Sequence, residues 1–215
     1  MTALRFLTAG ESHGKALTVI IDGVPAGLPI TAEYIAADMR RRQGGYGRSN
    51  RQQIEEDRGE VLAGVRHGRT LGSPVSLLIE NRVWEDWQDV MQVAPFEGDT
   101  KRVTRLRPGH ADLAGAMKYG FDDVRNVLER ASARETAARV AVGAVCRRLL
   151  EEFGVAVHSH TVSIGDVCVA IKGEPDWAAV EESPVRCGDA DASQRMVRAI
   201  DAARDAGDTL GGAFE

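Results

Sequence analysis

The sequence contains few cysteines, and their spacing fits neither a metal site nor a disulfide framework. Only three occur in 215 residues, at Cys146, Cys168 and Cys187, with no Cys-x-x-Cys pair. An odd number of widely separated cysteines is typical of a chain whose thiols stay reduced in the cytosol. We therefore expect no disulfide framework and no bound metal.

The sequence also lacks an excess of positive charge and any long apolar run. Lysine and arginine number 27 against 32 acidic residues, a net charge of -5, which argues against general nucleic-acid binding and leaves basic clusters as local sites for small anions. No stretch approaches a membrane span, and the apolar run near the first residue is too short for a signal peptide. With 43% hydrophobic and 27% charged residues, the composition predicts a cytoplasmic globular protein, with one sizeable core or two small ones.

A helix start stands out in the second half of the chain. Ser132 begins an S-x-x-E pattern, the capping box, in which the serine accepts from a first-turn N–H and the glutamate reaches back. Apolar residues recur at helical intervals over residues 136–153, and Gly154 supplies a stop. The pattern predicts a helix over 136–153.

Basic residues surround that helix start. His110, Arg107, Arg130 and Arg134 all fall within residues 107–136. A helix N-terminus has free N–H groups and a partial positive charge, so arginines there suggest that an anion binds. A local alternative is that Arg130 and Arg134 pair with nearby carboxylates, namely Glu129, Glu135 or Asp122.

A polar loop separates two strand-like runs near the start of the chain. The segment GESHG, residues 10–14, lies between runs at 5–9 and 16–21, and Asp22-Gly23 then predicts a hairpin turn. His13 is thus placed on a loop between glycines at a strand end. Such a position favours a functional histidine, with an ordinary surface turn as the alternative.

Five arginines fall within residues 40–51, after a predicted helix that begins at Thr31. They are Arg40, Arg41, Arg42, Arg48 and Arg51. The first three complement the helix dipole, but this does not account for the two in the glycine-rich loop. Converging guanidinium groups suit phosphates and carboxylates, which they bind bidentately. The segment predicts a site for a polyanionic small ligand, with a solvated charge cluster as the alternative.

The segments between these regions predict further strands and helices. Residues 59–65 and 74–80 resemble strands around a solvated loop, and 81–103 an irregular excursion.

The last sixty residues predict two strands and a helix. Residues 155–164 alternate like a strand with His158 and His160 on one face, which we interpret as polar rather than metal-binding because no third ligand follows. An acidic loop at 176–191, a helix at 193–206 and a strand entry at Ala213-Phe214 complete the chain.

Six motifs follow one another in a fixed order. They are GESHG at 10–14, RRQGGYGR at 41–48, RHGRTLGSP at 66–74, RPGHAD at 107–112, KYGFDDVR at 118–125 and ERASARETAARVA at 129–141. Together they closely resemble the chorismate synthase family, flavin-dependent lyases of the shikimate pathway of aromatic amino-acid biosynthesis. The resemblance covers nearly the whole chain. Family members continue further, so we expect a single domain over 1–215, truncated at its C-terminus.

The resemblance implies an anti 1,4-elimination of phosphate from 5-enolpyruvylshikimate 3-phosphate to give chorismate. It implies reduced FMN as cofactor, NADPH as a candidate reductant, a phosphorylated small-molecule substrate and a homotetramer, with no nucleic-acid or membrane partner. The implied fold is an α+β sandwich of helices and antiparallel or mixed sheets. The alternative is a truncated, non-catalytic module that binds anions or flavin without turnover.

The resemblance also assigns roles to individual residues. His13 is expected to protonate the departing phosphate, and His110 to lie by the flavin and control protonation of the reduced ring; both roles suit a group that titrates near neutrality. The expected substrate-binding residues are Ser12, Arg42, Arg48, Arg51, Arg107 and Arg134. The expected flavin-binding residues are Arg130, Ala131 and Ser132, together with Arg42 and Arg48.

Overall fold

The computed structural model describes residues 3–47, 57–169 and 173–215. The chain divides into two compact units, the first made of residues 1–42 and 55–153 and the second of 43–54 and 154–215. Both combine helices with antiparallel strands, so the predicted α+β class is confirmed. One domain over the whole chain stays a prediction. Within the described ranges, no helix has the length and apolar character needed to cross a membrane.

The first unit contains six strands and five α-helices among its described residues. In chain order they are β1 (Arg5–Ala9), β2 (Ala16–Asp22), α1 (Ala32–Gln43), β3 (Glu60–Ala63), β4 (Val65–Arg66), β5 (Arg69–Thr70), β6 (Val75–Glu80), α2 (Gln88–Met91), α3 (Asp112–Tyr119), α4 (Arg125–Leu128) and α5 (Thr136–Glu151). Short 3-10 turns precede α2 and α5.

A four-stranded antiparallel sheet, in the order β1-β2-β6-β3, forms the base of this unit. Alternate residues of β2 and β6, such as Val19 and Leu77, face the core and are fully buried. Helices α1 and α5 cover that face with Met39 and a row of small residues that includes Ala137 and Ala141. Small side chains let α5 lie close to the sheet, which brings its N-terminus to the ends of β1 and β6.

Both predicted helices of this unit are confirmed with small shifts. Thr31 accepts from the N–H of Tyr34 at 3.2 Å, which is the predicted cap of α1. Helix α5 ends at Glu151 and not at residue 153, and Gly154 beyond it has a left-handed φ of +70°.

Two local predictions in this unit are wrong. No hairpin forms at Asp22-Gly23, because β2 pairs with β1 before it and with the distant β6. The predicted loop of residues 66–73 contains part of a short hairpin, β4-β5, with His67 at its turn in a left-handed conformation. Pairing of β2 with a strand more than fifty residues away decides the first case, and a turn dipeptide carries no information about it. The second is a local pairing across His67 that the sequence analysis missed.

The second unit is a smaller α+β structure. Its elements are β7 (Thr161–Ile164), β8 (Val167–Cys168), α6 (Trp177–Glu182), α7 (Ala190–Asp205) and β9 (Gly212–Phe214). The strands pair in the order β8-β7-β9, which confirms the predicted strand at the end of the sequence. Helix α7 packs on them through Met196, which is fully buried.

Side-chain caps explain where the predictions for this unit were wrong. Asp176 accepts from two N–H groups and starts α6 inside the predicted acidic loop. Asp189 caps α7, and the helix begins three residues ahead of the predicted start at residue 193.

The predicted strand over 155–164 is confined to its last four residues. His158 and His160, which we placed on one polar face, both contact the Trp177 ring. No cluster of three potential metal ligands occurs among the described residues.

Candidate active site

The GESHG segment is a rigid loop between β1 and β2. Gly10 has φ +102°, and a Cβ there would lie 2.3 Å from the Ala16 carbonyl oxygen, so only glycine fits. Asn81, at the end of β6, donates from its side-chain amide to the carbonyl oxygens of Glu11 and Gly14 at 3.1 and 2.5 Å. Ser12 is buried at the centre of the loop. The loop is therefore fixed before any ligand arrives.

Ser12 joins this loop to the segment ahead of α5. Its backbone N–H donates to the Glu129 carbonyl oxygen at 3.0 Å. Its hydroxyl accepts from the Ser132 hydroxyl at 3.0 Å. Ser132 also accepts from the Arg134 N–H at 3.3 Å, which confirms it as the predicted cap. The other half of the capping box is wrong, since the Glu135 carboxylate accepts from Thr8 and Arg139.

His13 is held by a buried carboxylate and an aromatic ring. Its Nδ1 lies 2.9 and 3.0 Å from the two carboxylate oxygens of Glu129, and its backbone N–H donates to the same group at 2.9 Å. The imidazole stacks on Trp87 with ring centroids 3.8 Å apart. These contacts fix both the plane of the ring and its rotation about the Cβ–Cγ bond.

Glu129 is only 2% exposed yet ionised. Burial on its own raises the pKa of this carboxyl, but the hydrogen bonds and charge of His13 and the charge of Arg125 outweigh it, so the pKa lies below its ordinary value. Arg125 donates to the carboxylate at 3.1 Å and lies over the Trp87 ring. A carboxylate accepts only, so His13 Nδ1 must carry the proton.

Arg134 is buried with its guanidinium engaged by protein groups. It donates from Nε to Asn81 at 2.8 Å and from Nη2 to the Glu80 carbonyl oxygen at 3.0 Å, and it forms an ion pair with Asp57. Arg42 donates to the other Asp57 oxygen at 3.1 Å. Two guanidinium groups thus contact one buried carboxylate, which concentrates cationic side chains beside the start of α5.

Arg130 takes a different arrangement. It donates to the carbonyl oxygens of Thr8 and Gly10 and lies 3.7 Å from the Glu135 carboxylate. Pairing with Glu135 is therefore confirmed for Arg130, whereas Arg134 forms an ion pair with Asp57, a partner that the sequence did not indicate.

Three of the residues expected to bind flavin, Arg130, Ala131 and Ser132, line a cleft of about 490 Å³, and Arg42 is not among its lining residues. It is bordered by His110, Arg130, Ala131, Ser132, Ala133, Glu135, Thr136 and Arg139. Arg130 and Ala131 also border a second cleft of about 510 Å³ whose lining is largely apolar and includes Tyr119, Phe121 and Val127. The two clefts offer a polar and an apolar surface on either side of residues 130–131.

Arg107 and Asp112 form a bidentate ion pair close to His110. The guanidinium donates to the two carboxylate oxygens at 2.9 and 2.8 Å, and the Arg107 N–H adds a third bond. Asp112 is fully buried. The hydrogen bonds from Arg107 lower the pKa of the Asp112 carboxyl to about 2. The pair fixes the loop that carries His110 to the start of α3.

The structure thus brings most predicted site residues into one unit. His13, Ser12, Arg42 and Arg134 meet through shared partners, and His110 borders a cleft with the predicted flavin-binding residues. Arg48 and Arg51 lie outside the described residues.

Sequence reasoning missed the partners that organise this site. They are Asp57, Asn81, Trp87 and Arg125, and Glu129 was considered only as a partner of arginines. Asp57, Asn81 and Trp87 act across long sequence separations, so no local pattern marks them. Arg125 contacts Glu129 at the i,i+4 spacing, which is a local signal that the sequence did offer.

A histidine on a buried carboxylate, in the same unit as two arginines that contact one aspartate, defines an α+β protein with a candidate acid–base site. The family follows from comparison with known proteins. The chain belongs to the chorismate synthase family, since the family model described as chorismate synthase matches residues 4–215.

Individual relatives agree with this assignment. The chorismate synthases of Geobacillus thermodenitrificans and Desulforudis audaxviator are 53% identical over 222 residues and 58% identical over 217 residues. Each match covers 99% of this chain, and 56% and 55% of the relative. A crystal structure of chorismate synthase matches with a TM-score of 0.77 at 42% identity, over 99% of this chain and 57% of its own. The chain spans about half the length of these relatives.

We predict that Asp57→Asn lowers the free energy of unfolding by about 3 to 5 kcal/mol, because it leaves two guanidinium groups without their shared charge. Urea denaturation at pH 7 measures this. The matched control is Asp122→Asn, whose side chain is 91% exposed and whose loss should change stability by less than about 0.5 kcal/mol. Equal effects of the two changes would show that the Asp57 cluster contributes nothing to stability.

The Asp112 carboxyl should make stability depend on pH in the acid range. Its folded pKa of about 2 lies below the ordinary value of about 3.9, so its contribution is complete above pH 4 and is lost as the pH falls through 2. The stability difference between the parent chain and Asp112→Asn should therefore shrink from pH 5 to pH 2. Denaturation curves across this range measure it, and a constant difference contradicts the assignment.

Proposed function

We propose that this chain carries the acid–base part of a chorismate synthase site, which acts in the anti 1,4-elimination of phosphate from 5-enolpyruvylshikimate 3-phosphate to give chorismate. Membership of the family supplies the reaction. The observation that carries the proposal is His13 on its buried carboxylate beside the two arginines that share Asp57. The elimination needs a proton at the leaving oxygen and positive charge around a trianionic ligand, and this region supplies both.

The substrate carries one phosphate and two carboxylates, so it requires several cationic groups. Arg42 and Arg134, which both contact the Asp57 carboxylate, are two of these cationic groups in the proposal. The charge of Arg107 is balanced by Asp112. Arg107 therefore helps to orient the substrate more than it adds net positive charge. Ser12 offers a hydroxyl beside His13. Arg48 and Arg51 remain predicted members of the same set.

His13 acts as the acid in this proposal. As the bond between the ring carbon and the phosphate oxygen breaks, its electrons stay on that oxygen and the proton of His13 neutralises the new charge. Its stacking on Trp87 and its bond to Glu129 hold the ring without reorganisation during the step. The C6 hydrogen leaves as a proton and its C–H electrons enter the new double-bond system of the ring, so the proton lost from C6 balances the one that His13 gave to the phosphate.

The residues around the two clefts fit a reduced flavin mononucleotide. Arg130 and Ser132 suit its phosphate, and the apolar lining with Tyr119 and Phe121 suits a planar ring. Arg130, Ala131 and Ser132, with Arg42 and the predicted Arg48, would hold it. When bound, it supplies electron density that assists loss of the C6 hydrogen and stabilises charge as the C–O bond breaks. His110 borders the cleft of about 490 Å³ and controls protonation of the reduced flavin ring.

The decisive assay is anaerobic release of phosphate from 5-enolpyruvylshikimate 3-phosphate with reduced, oxidised and no FMN. Two proteins are compared: this chain, and this chain fused to the remaining C-terminal part of the Moorella thermoacetica relative, which is 55% identical. Release with reduced FMN alone supports the proposal. Release by the fusion only, with flavin bound by both, makes this chain the non-catalytic module. No release by either rejects the proposed reaction.

We predict that His110→Ala lowers the turnover of the active form by at least about 100-fold, the usual contribution of a positioned acid or base. The side chain is exposed in the cleft, so the fold should stay intact, as circular dichroism verifies. His67→Asn, at an exposed hairpin turn that tolerates asparagine, is the matched control and should keep full turnover. Near parental turnover in His110→Ala would remove this residue from the mechanism.

Three expectations of the resemblance stay predictions. These are NADPH as reductant of the flavin, assembly as a homotetramer and location in the cytoplasm. NADPH oxidation with free FMN under anaerobic conditions tests the first of them directly.

A further inference from the structure

Glu129 makes more contacts to His13 than a simple ion pair needs. Its carboxylate accepts from Nδ1 and from the backbone N–H of the same residue, so the ring and the loop that carries it are held by one group. A third donor, Arg125, occupies Oε1. The carboxylate side chain has no exposed surface, so water does not replace these bonds.

This arrangement selects one tautomer of the imidazole. A neutral histidine carries its proton on either Nδ1 or Nε2, and the nitrogen that faces an acceptor must be the protonated one. The Glu129 carboxylate is an acceptor at both oxygens. The neutral ring is therefore held with Nδ1 protonated, and Nε2 is the nitrogen through which a proton is exchanged.

The same contact favours the direction of proton transfer. A protonated His13 carries a hydrogen on each nitrogen, and giving up the one on Nε2 leaves the Nδ1–H form that Glu129 stabilises. Loss from Nδ1 would instead place a lone pair against a carboxylate. Stacking on Trp87 prevents the ring from turning to exchange the two nitrogens without losing that contact.

We propose that Glu129 is a positioning residue that fixes His13 in its Nδ1–H tautomer and so directs proton donation through Nε2. The effect on turnover rests on the proposed function, whereas the tautomer does not.

Nuclear magnetic resonance of the protein with 15N-labelled histidine tests the tautomer directly. Long-range correlation spectra distinguish a protonated ring nitrogen from an unprotonated one, and His13→Gln identifies the relevant signals among the five histidines. At the alkaline end of the titration, we expect a protonated Nδ1 in the parent chain. A dominant Nε2–H form in the parent chain overturns the proposal without any variant.

Glu129→Gln should change that spectrum. Nδ1 lies near both carboxylate oxygens, so in the amide it faces one acceptor and one donor group in either orientation. The Nδ1–H form therefore loses its advantage and the Nε2–H form gains. Glu129→Asp keeps the charge and should restore the Nδ1–H form. The matched control is Glu152→Gln, at an exposed residue paired with Arg148, which should leave the His13 signals unchanged. An unchanged tautomer in Glu129→Gln overturns the proposal; should that variant not fold, the parent and Glu129→Asp spectra decide.

Turnover separates this inference from the proposed reaction. In the form that releases phosphate, Glu129→Gln should lower kcat by at least about tenfold with little change in KM, and Glu129→Asp should recover part of it. Lost turnover with the parental tautomer means a structural role only, which contradicts the inference. Absence of phosphate release from every form, together with the Nδ1–H signal, rejects the reaction but supports the tautomer assignment.

Discussion

The burial of opposite charges at the start of α5 is the constraint on which the first unit depends. Glu129 and Arg134 are five residues apart, both are at most 5% exposed, and each forms an ion pair with a residue from a distant part of the chain. An unpaired buried charge costs several kcal/mol. The GESHG loop, the end of β6 and Asp57 must therefore all be in place before either charge is tolerated. Folding of this unit and assembly of its site are one event.

This dependence suits a site that handles anions. Guanidinium groups anchored to a carboxylate need not reorganise when a ligand arrives, and two of them contact Asp57. His13 is similarly fixed before binding, by Glu129 and Trp87. These contacts set the positions of the charged groups and the electrostatic field around them.

Local signals predicted the elements better than their connections. Thr31 and Ser132 both cap helices as expected, because a cap depends on only three or four neighbouring residues. Asp22-Gly23 failed as a hairpin signal because β2 found its second partner more than fifty residues away, in β6. Asp176 was overlooked as a cap because a run of acidic residues reads as a solvated loop. In each error, the question was whether a turn or cap signal in the sequence forms the corresponding structure. The adjacent residues in the sequence do not decide this by themselves.

The sequence by itself determined the class of fold, the helix starts, the concentration of arginines and the two histidines to consider, since periodicity, caps and residue chemistry are local properties. Only the tertiary structure decided that Arg134 faces Asp57, that His13 lies on Glu129, and that Trp87 stacks beside it. Those pairings join residues 74 to 116 positions apart in numbering, through sheet register and the close packing of α5. No pattern in the sequence encodes such a distance, so the partners of a charged residue emerge only when the chain is folded.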